Sequence, residues 1–411
     1  MNKVINPYSW DSLKEFATTK KDPINGPNNA QSRLRLFGTD QENIRVIFYR
    51  DNHAWCPYCQ KIWLFLEWKR IPYKIKKVTM RCYGEKERWY LEKVPSGLLP
   101  AIELDGMIIT ESDEIIYRLE KTFGPLGRSL IDSEIIKLRR LERELFRAWC
   151  NWLCLPSIHG LIERTKKNQF LNIASQFEEA LSQSKQVWLD PVIENKNTFL
   201  PGCGDVIFIP YLERMNASLA YYKGFFIRKR FNNIDNWFKS LEKLETYIGT
   251  QGDFHTHAHD LPPQMGRCCF DRNQEQKVTA NLIDIGEGIP GQESHLNYDI
   301  NQKYEIEALT QVVKHKENII KTNPLKNDTF DQPLRAALTN LITKKSSLPN
   351  KESAIGLRYL RDRISVPRDM SLLAARKLRQ SLELTADLDS PKQGPSIPLH
   401  NRFDQIPINF I

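Results

Sequence analysis

The spacing of apolar and polar positions predicts a compact α/β arrangement over residues 41–125. An apolar, β-branched run at 44–49 is typical of a buried strand, and apolar positions three and four apart within 57–69 indicate an amphipathic helix. Asp105-Gly106 is a two-residue signal for a tight hairpin between two short strands. The predicted order is strand, helix, strand, hairpin and helix, at residues 44–49, 57–69, 73–78, 101–104, 107–110 and from 111 onward.

The chain beyond residue 125 has the periodicity of helices. Ile135, Leu138, Leu141 and Leu145 mark the first of them by their three- and four-residue spacing. We therefore predict an all-helical domain over residues 126–270.

Residues 271–411 are predicted to be a partly helical C-terminal extension, with a loop or linker over much of 271–303 and an extended final stretch rich in Pro, Ser and Asp. Residues 1–40 are polar and are broken by Pro23 and Pro27. We expect this N-terminal extension to lie on a domain or to be partly disordered. The helices predicted in the C-terminal extension cover Tyr304–Ile320, Pro333–Ile342, Ile355–Arg363 and Leu372–Thr385.

Composition narrows the class of protein. A chain of 411 residues with 10% aromatic residues can build two or three domains with real cores. Its net charge of +9 is spread along the sequence without a long basic run interleaved with aromatics, so nucleic-acid binding is not favoured. Since no apolar run has membrane-spanning length and the N-terminus lacks a signal-peptide pattern, we expect a cytoplasmic protein, with a plastid location also compatible.

The eight cysteines are too few and too irregular for a secreted disulfide scaffold, which indicates a reducing compartment. Two of them stand in Trp55-Cys56-Pro57-Tyr58-Cys59, the predicted turn between the first strand and the first helix. The positive end of the helix dipole stabilises a thiolate there, so Cys56 is a candidate nucleophile. The same spacing suits a disulfide, a structural role or half of a zinc site, but no second ligand pair follows at the usual distance.

Further motifs follow this turn in a fixed order: Leu-Leu-Pro-Ala at 98–101, Asp-Gly at 105–106 and Glu-Ser at 111–112. Together with the Cys turn they resemble the N-terminal domain of the glutathione transferase superfamily, in particular its Cys-type omega, lambda and dehydroascorbate reductase classes. The resemblance covers residues 44 to about 265. It implies an α/β thioredoxin-like N-terminal domain followed by an all-α glutathione transferase C-terminal domain.

The C-terminal extension carries a resemblance of its own. Tyr-Leu-Arg-Asp-Arg at 359–363 and Val-Pro-Arg-Asp-Met at 366–370 resemble the iota class of photosynthetic organisms.

The resemblance assigns roles to individual residues. Cys56 would attack glutathione mixed disulfides, and Cys59 would either resolve the adduct or face the domain interior. Leu99 would precede a cis Pro100 and offer its backbone groups to the cysteinyl part of glutathione.

Three more residues would bind the charged groups of glutathione. Ser112, with the helix N-terminus, would take the γ-glutamyl carboxylate, and Glu111 would take the ammonium group. Lys86 would contact the glycyl carboxylate. The alternatives are an ordinary helix cap at 111–112 and a solvated surface lysine at 86.

Aromatic residues of the helical domain are candidates for the electrophile site. Trp149, Trp152 and Tyr211 would line its wall, although ordinary interhelical core explains them equally well. Asp205 is predicted to be structural because the stretch around it resembles the start of the family's structural helix.

His255, His257 and His259 alternate along a segment predicted to be a loop. Local hydrogen bonding is the preferred interpretation, so we predict no metal site there. Cys268-Cys269 is an adjacent pair that does not easily form a disulfide and is predicted to be inert.

The sequence therefore predicts a glutathione-dependent thiol transferase or deglutathionylase with a Cys nucleophile and glutathione as co-substrate. A non-catalytic binding module is the alternative, as a ligand carrier, as an iron–sulfur cluster carrier with Cys56 and glutathione as ligands, or as a scaffold through residues 271–411. The sequence leaves open a homodimer and a protein partner for the extension.

Overall fold

The computed structural model describes residues 4–18, 22–156, 160–184, 186–195, 198–289, 302–325 and 327–391. The chain divides into two compact units, Lys21–Val278 and a second unit made of Met1–Lys20 with Thr279–Ile411. No helix within the described ranges is both long enough and apolar enough to cross a membrane.

Helices and strands are numbered along the chain. The strands are β1 (Leu34–Arg35), β2 (Val46–Asp51), β3 (Tyr73–Val78), β4 (Ala101–Leu104), β5 (Met107–Thr110), β6 (Pro191–Asn195) and β7 (Thr198–Pro201). The helices are α1 (Trp10–Phe16), α2 (Pro57–Trp68), α3 (Arg88–Lys93), α4 (Ser112–Phe123), α5 (Ser133–Cys154), α6 (Gly160–Gln183), α7 (Cys203–Val206), α8 (Ile209–Lys223), α9 (Ile227–Arg230), α10 (Asn232–Leu241), α11 (Glu245–Ile248), α12 (Phe254–Met265), α13 (Gln274–Asp284), α14 (Lys303–Thr322), α15 (Asn327–Thr343), α16 (Ala354–Arg363) and α17 (Leu372–Asp389).

The first part of the unit 21–278 is a five-stranded mixed sheet in the order β1-β3-β2-β4-β5. Strands β2 and β3 are parallel, whereas β4 is antiparallel to both β2 and β5. The predicted hairpin is confirmed, since Leu104 pairs with Met107 across Asp105 and Gly106, both of which have the positive φ of a tight two-residue turn. This is the thioredoxin-like arrangement that the resemblance implied.

The second part of this unit is helical, with α8 at its centre and buried along its whole length. The predicted structural role of Asp205 is confirmed. Its carboxylate accepts the backbone N–H groups of Leu189 and Asp190 at 3.0 and 3.1 Å and the indole N–H of Trp237 at 2.8 Å. Burial raises the pKa of Asp205 to about 6 despite these bonds. The antiparallel pair β6 and β7 was not predicted, because its short strands interrupt an otherwise helical pattern.

The second unit contains the predicted helices of the extension, which the structure confirms as α14 to α17 with ends shifted by a few residues. The predicted loop or linker over much of 271–303 is corrected for residues 274–284, which form α13. The final stretch from 392 lies outside the described residues.

The N-terminal helix α1 belongs to the unit formed by the extension, a pairing that the sequence did not indicate. Trp10 donates its indole N–H to Asp331 at 2.7 Å, and Leu13 joins the apolar core made by α14, α15, α16 and α17. Residues 4–18 are therefore an integral part of the second unit and supply one of its core side chains.

Candidate active site

Cys56 occupies the N-cap of α2, and Pro57 is the first helical residue, as the sequence predicted. Cys56 is 7% exposed, and its sulfur lies 4.0 Å from the carbonyl oxygen of Leu99. The Leu99–Pro100 peptide bond is cis, which confirms the prediction for this position. The turn after β2 and the start of β4 thus bring the thiol beside the backbone predicted to hold glutathione.

Cys59 lies one helical turn further along α2 and is 1% exposed. Burial raises the pKa of its thiol well above the ordinary value, and the hydrogen bond and negative charge at Cys56 raise it further. Cys59 therefore stays protonated beside Cys56.

A buried arginine from the helical part supports the Cys turn from behind. Arg214, on α8, donates one hydrogen bond to the carbonyl oxygen of Trp55 and another to Gln60 Oε1 at 2.8 Å. Burial lowers the pKa of its guanidinium, while attraction to Glu213 and to Cys56 acts in the opposite direction. Arg214 is thus a positive charge within electrostatic reach of the Cys56 sulfur.

Arg214 was not predicted to be a site residue from the sequence. The signal that could have found it is the charged pair Glu213-Arg214 inside the long apolar run that becomes the buried helix α8. Charged side chains in a buried helix are costly unless they form ion pairs or hydrogen bonds, so such a pair indicates polar partners on neighbouring elements.

Glu111 and Ser112 stand at the start of α4, as predicted. Glu111 is the N-cap residue and has φ of 62°, a left-handed conformation that is uncommon for a residue with a long side chain. Backbone strain of this kind is typical of residues held in place for a functional purpose. Ser112 is buried in the first helical turn, and Glu111 and Ser112 both line a cleft.

An ion-pair triad fixes the start of α4 against two other helices. Asp113 lies 2.6 Å from Lys61 Nζ on α2 and 2.5 Å from an Arg139 nitrogen on α5. Burial opposes ionisation of Asp113, but the two positive charges and their hydrogen bonds outweigh it and lower its pKa to about 2. The sequence did not reveal this triad because its members come from three separate helices.

Lys86 is half-buried rather than fully solvated, and it donates from Nζ to the Thr79 carbonyl oxygen at 2.8 Å. Burial lowers the pKa of Lys86, whereas its electrostatic interactions with Cys59, Glu87 and Cys56 act against this shift. Lys86 is therefore close enough to the two thiols to interact with them, although it does not line the cleft.

The cleft has a volume of about 790 Å³. One side carries the predicted glutathione-binding residues, and the other carries basic and aromatic side chains of α2, α5 and α8. The first group is Leu99, Pro100, Glu111 and Ser112, with their chain neighbours Leu98 and Asp113, and the second includes Tyr58, Arg139, Arg140, Arg143, Arg147 and Tyr211.

The aromatic part of the second side is held by stacking. Tyr58 and Tyr211 meet edge to face at 5.7 Å, and the Arg143 guanidinium lies 4.8 Å from the Tyr211 ring centre. Arg143 also pairs with Glu142, which leaves Arg140 and Arg147 as exposed arginines of the cleft. This basic face was not predicted, although the spacing of seven residues between the two arginines on one helix could have revealed it.

Of the three aromatic residues predicted for the electrophile site, Tyr211 lines the cleft and the two tryptophans do not. Trp149 and Trp152 are each 1% exposed, and their indole N–H groups donate to Ser218 at 3.0 Å and Glu163 at 2.6 Å. Both are core residues of the helical part, so their assignment to the wall is corrected.

The three histidines lie on helix α12 rather than in a loop, which corrects the sequence interpretation. His257 contributes Nε2 to a 2.7 Å contact with buried Glu213. Among the described residues of the unit 21–278, Asp51, Cys56 and Cys59 are buried and have potential ligand atoms within 4.8 Å of one another. This group could hold a metal ion.

Comparison with known proteins agrees with this geometry. A model of the glutathione S-transferase N-terminal domain matches residues 55–122. The chain is 35% identical over 210 residues to glutathione S-transferase DHAR3, chloroplastic, of Arabidopsis thaliana, covering 48% of this chain and 69% of that protein. It is 24% identical over 196 residues to glutathione S-transferase DHAR2 of the same plant, covering 48% and 84%.

Among solved structures, the crystal structure of Chlamydomonas reinhardtii dehydroascorbate reductase is similar over 50% of this chain and 91% of its own, with 21% identity and a TM-score of 0.40. The family model covers the Cys turn and the start of α4, and the DHAR3 match extends over about half of the chain. The chain therefore belongs to the glutathione S-transferase family, and glutathione is its co-substrate.

Proposed function

We propose that the protein is a thiol transferase that removes glutathione from mixed disulfides, with Cys56 as the nucleophile. The observation that supports this most is the position of the Cys56 sulfur, at the start of α2 and 4.0 Å from the Leu99 carbonyl oxygen. A glutathione molecule paired with the Leu99 backbone would present its own sulfur to this thiol.

The reaction balances with a second glutathione as the reductant. The Cys56 thiolate attacks the glutathione sulfur of a mixed disulfide, so that one S–S bond forms as another breaks. The released thiolate takes a proton from water. A second glutathione thiolate then attacks the glutathionyl sulfur on Cys56, which yields glutathione disulfide and restores the Cys56 thiolate.

Glutathione rather than Cys59 resolves the adduct in this proposal. The raised pKa of Cys59 keeps it as a thiol, and a thiol is a poor nucleophile. Arg214 and the dipole of α2 both favour the negative charge that returns to Cys56 when glutathione disulfide leaves.

Peptide mapping after exposure to glutathione disulfide tests the proposal. Trypsin releases Cys56 and Cys59 together on residues 51–61. Wild type should carry one glutathione on this peptide, whereas Cys56→Ser should carry none and lose turnover of a small glutathione mixed disulfide. Cys59→Ser should keep the glutathionylation of this peptide and the turnover within about twofold of wild type. Cys82 is exposed, and Cys82→Ser is the matched control. Retained turnover in Cys56→Ser would refute the proposal.

A metal-binding function is the second candidate, and the grouping of Asp51, Cys56 and Cys59 within 4.8 Å supports it. Iron–sulfur clusters take thiolate ligands, and bound glutathione could supply a further one. Anaerobic purification followed by metal analysis separates the two functions. A stoichiometric metal that Asp51→Asn removes would favour the carrier, and metal-free protein with full turnover would eliminate it.

We further place the protein in the iota class and in the cytoplasm. The class rests on the motifs at 359–363 and 366–370, which form the end of α16 and the turn that follows it. The compartment rests on the eight irregularly spaced cysteines, which do not suit a secreted disulfide scaffold. A fluorescent fusion of the full chain would locate it, and plastid fluorescence would contradict the assignment.

A further inference from the structure

Four cysteines outside the active site gather at the end of α5. Cys150 and Cys154 lie on its last two turns, and Cys268 and Cys269 follow α12. The backbone N–H of Cys269 donates to the Leu153 carbonyl oxygen at 2.7 Å, and the Cys269 sulfur lies 3.6 Å from the Cys154 carbonyl oxygen. The segment after α12 is therefore held against the last turn of α5 by its backbone.

Cys268 directly precedes Cys269 in this segment, so it lies near Cys154 at the end of α5, and each of the two thiols shifts the pKa of the other. All four cysteines are reduced and only partly buried, so a small disulfide can reach them. Cys154 is thus available to Cys268 as a disulfide partner, whereas the adjacent Cys269 does not easily form a disulfide with it. The sequence interpretation of residues 268–269 as inert considered only the adjacent pair.

The charges around the pair favour one thiolate and one thiol. The hydrogen bond from Cys268 lowers the pKa of Cys154 against the opposing effect of burial, and the positive charges of Lys223 and Arg267 lower it further. The same hydrogen bond and burial raise the pKa of Cys268. Cys150 differs, because burial and the neighbouring Cys154 raise its pKa to about 12.

We propose that Cys154 and Cys268 are a second redox site, which glutathione disulfide converts to a reversible intramolecular disulfide. The Cys154 thiolate attacks one sulfur of glutathione disulfide, forms a mixed disulfide and releases one glutathione thiolate. Cys154 then carries no negative charge, so Cys268 can lose its proton to water. The Cys268 thiolate attacks the Cys154 sulfur and releases the second glutathione thiolate. Two protein thiols are oxidised, and one glutathione disulfide becomes two glutathione molecules.

The disulfide would close the chain from α6 to α12 into a covalent loop and fasten the segment after α12 to α5. Long closed loops restrict the unfolded chain strongly, so the oxidised protein should unfold several degrees above the reduced protein. The site lies apart from Cys56, and its chemistry does not depend on the function proposed above.

Tryptic mapping of the full-length protein, equilibrated in defined ratios of glutathione to glutathione disulfide, tests the proposal. Cys150 and Cys154 leave together on residues 148–164, and Cys268 and Cys269 leave together on residues 268–272. Oxidised wild type should yield these two peptides joined by a disulfide that dithiothreitol cleaves. The joined species should form equally in Cys56→Ser, which separates this site from the active site.

Single serine variants assign the bond. Cys154→Ser and Cys268→Ser should each abolish the joined peptides, whereas the matched neighbours Cys150→Ser and Cys269→Ser should retain them. Iodoacetamide should also alkylate Cys154 at least tenfold faster than Cys150 at neutral pH. Joined peptides that persist in Cys154→Ser or Cys268→Ser would overturn the proposal. A wild-type reaction that stops at glutathionylated Cys154 at every ratio would overturn it as well.

Discussion

The guanidinium carbon of Arg214 lies 4.8 Å from the ring centre of Trp55, and the same guanidinium donates to the Trp55 carbonyl oxygen. A charged residue of the helical part thereby fixes the backbone immediately before Cys56. The contact has two effects: it orients the Cys turn, and it places a buried positive charge near the Cys56 sulfur.

Loss of the Arg214 charge should slow the chemistry of Cys56. In Arg214→Gln, iodoacetamide should alkylate Cys56 several-fold more slowly at pH 7, because a buried positive charge no longer favours the thiolate. Arg214→Lys should recover part of the rate. Arg228→Gln removes another buried arginine, paired with Glu242, and is the control for destabilisation. It should lose a comparable amount of stability without changing the alkylation rate, and equal slowing in both variants would contradict the role of Arg214.

Glutathione affinity should depend on the two residues at the start of α4. Glu111→Ala and Ser112→Ala should each weaken binding about tenfold or more in calorimetric titration, because a charge-assisted hydrogen bond contributes roughly 1.5–3 kcal/mol. Glu114→Ala changes a partly exposed residue of the same turn that pairs with Arg118 and should leave affinity unchanged.

Glu111→Gly separates binding from backbone strain. Glycine accepts the φ of 62° without strain, so this variant should lose affinity while its melting temperature stays equal or rises. A fall in melting temperature together with normal affinity would show that Glu111 is only a helix cap.

The Asp113 triad should make stability depend on pH in the acid range. Asp113 has a folded-state pKa of about 2, below its reference value of 3.8. Its ion pairs therefore stabilise the protein fully above about pH 4, and the stabilisation disappears as the pH falls from about 4 to 2. Because the carboxylate side chain is 43% exposed, solvent screening limits the effect to about 1 kcal/mol.

Denaturant unfolding of Asp113→Asn at several pH values measures this contribution. The variant should be less stable than wild type at pH 7, and the difference should shrink toward pH 2. Glu114→Gln, on the same turn, should differ from wild type by less than about 0.5 kcal/mol throughout. A difference for Asp113→Asn that stays constant with pH would contradict the assignment.

The basic face of the cleft should favour anionic substrates. Arg140→Glu with Arg147→Glu should raise KM for a mixed disulfide of glutathione with an acidic thiol, and the effect should weaken at high salt. A mixed disulfide with a neutral thiol should be affected less. Lys137→Glu, on the same helix but outside the cleft, is the matched control. Equal changes for both substrates would argue against recognition of charge by this face.

The extension should depend on the apolar face of α17. Leu382 is fully buried and Leu384 is 66% exposed on the same helix. Leu382→Ala should destabilise the second unit by about 2–5 kcal/mol and accelerate proteolysis within residues 302–391, whereas Leu384→Ala should change neither. Turnover by the unit of residues 21–278 should be similar in both variants, and equal proteolysis would contradict the packing.

The sequence indicated those parts of the site that are local in the chain. Each of these parts occupies a few consecutive residues: the Cys turn, the Leu99–Pro100 segment and the start of α4. A helix N-terminus or a tight turn is determined by such a short stretch, so it can be predicted from the sequence. The helices of the extension were found in the same way, because a buried helix face repeats every three to four residues.

The tertiary structure decided whatever depends on residues far apart in the chain. The approach of Arg214 to Trp55, the Lys61–Asp113–Arg139 triad and the pairing of Cys154 with Cys268 each join separate elements whose local sequences give no sign of their partners. Packing likewise decides that Tyr211 lines the cleft, whereas Trp149 and Trp152 lie in the core. Periodicity reports which face of a helix is apolar, but only packing determines which element covers that face and which side chains remain at a cleft.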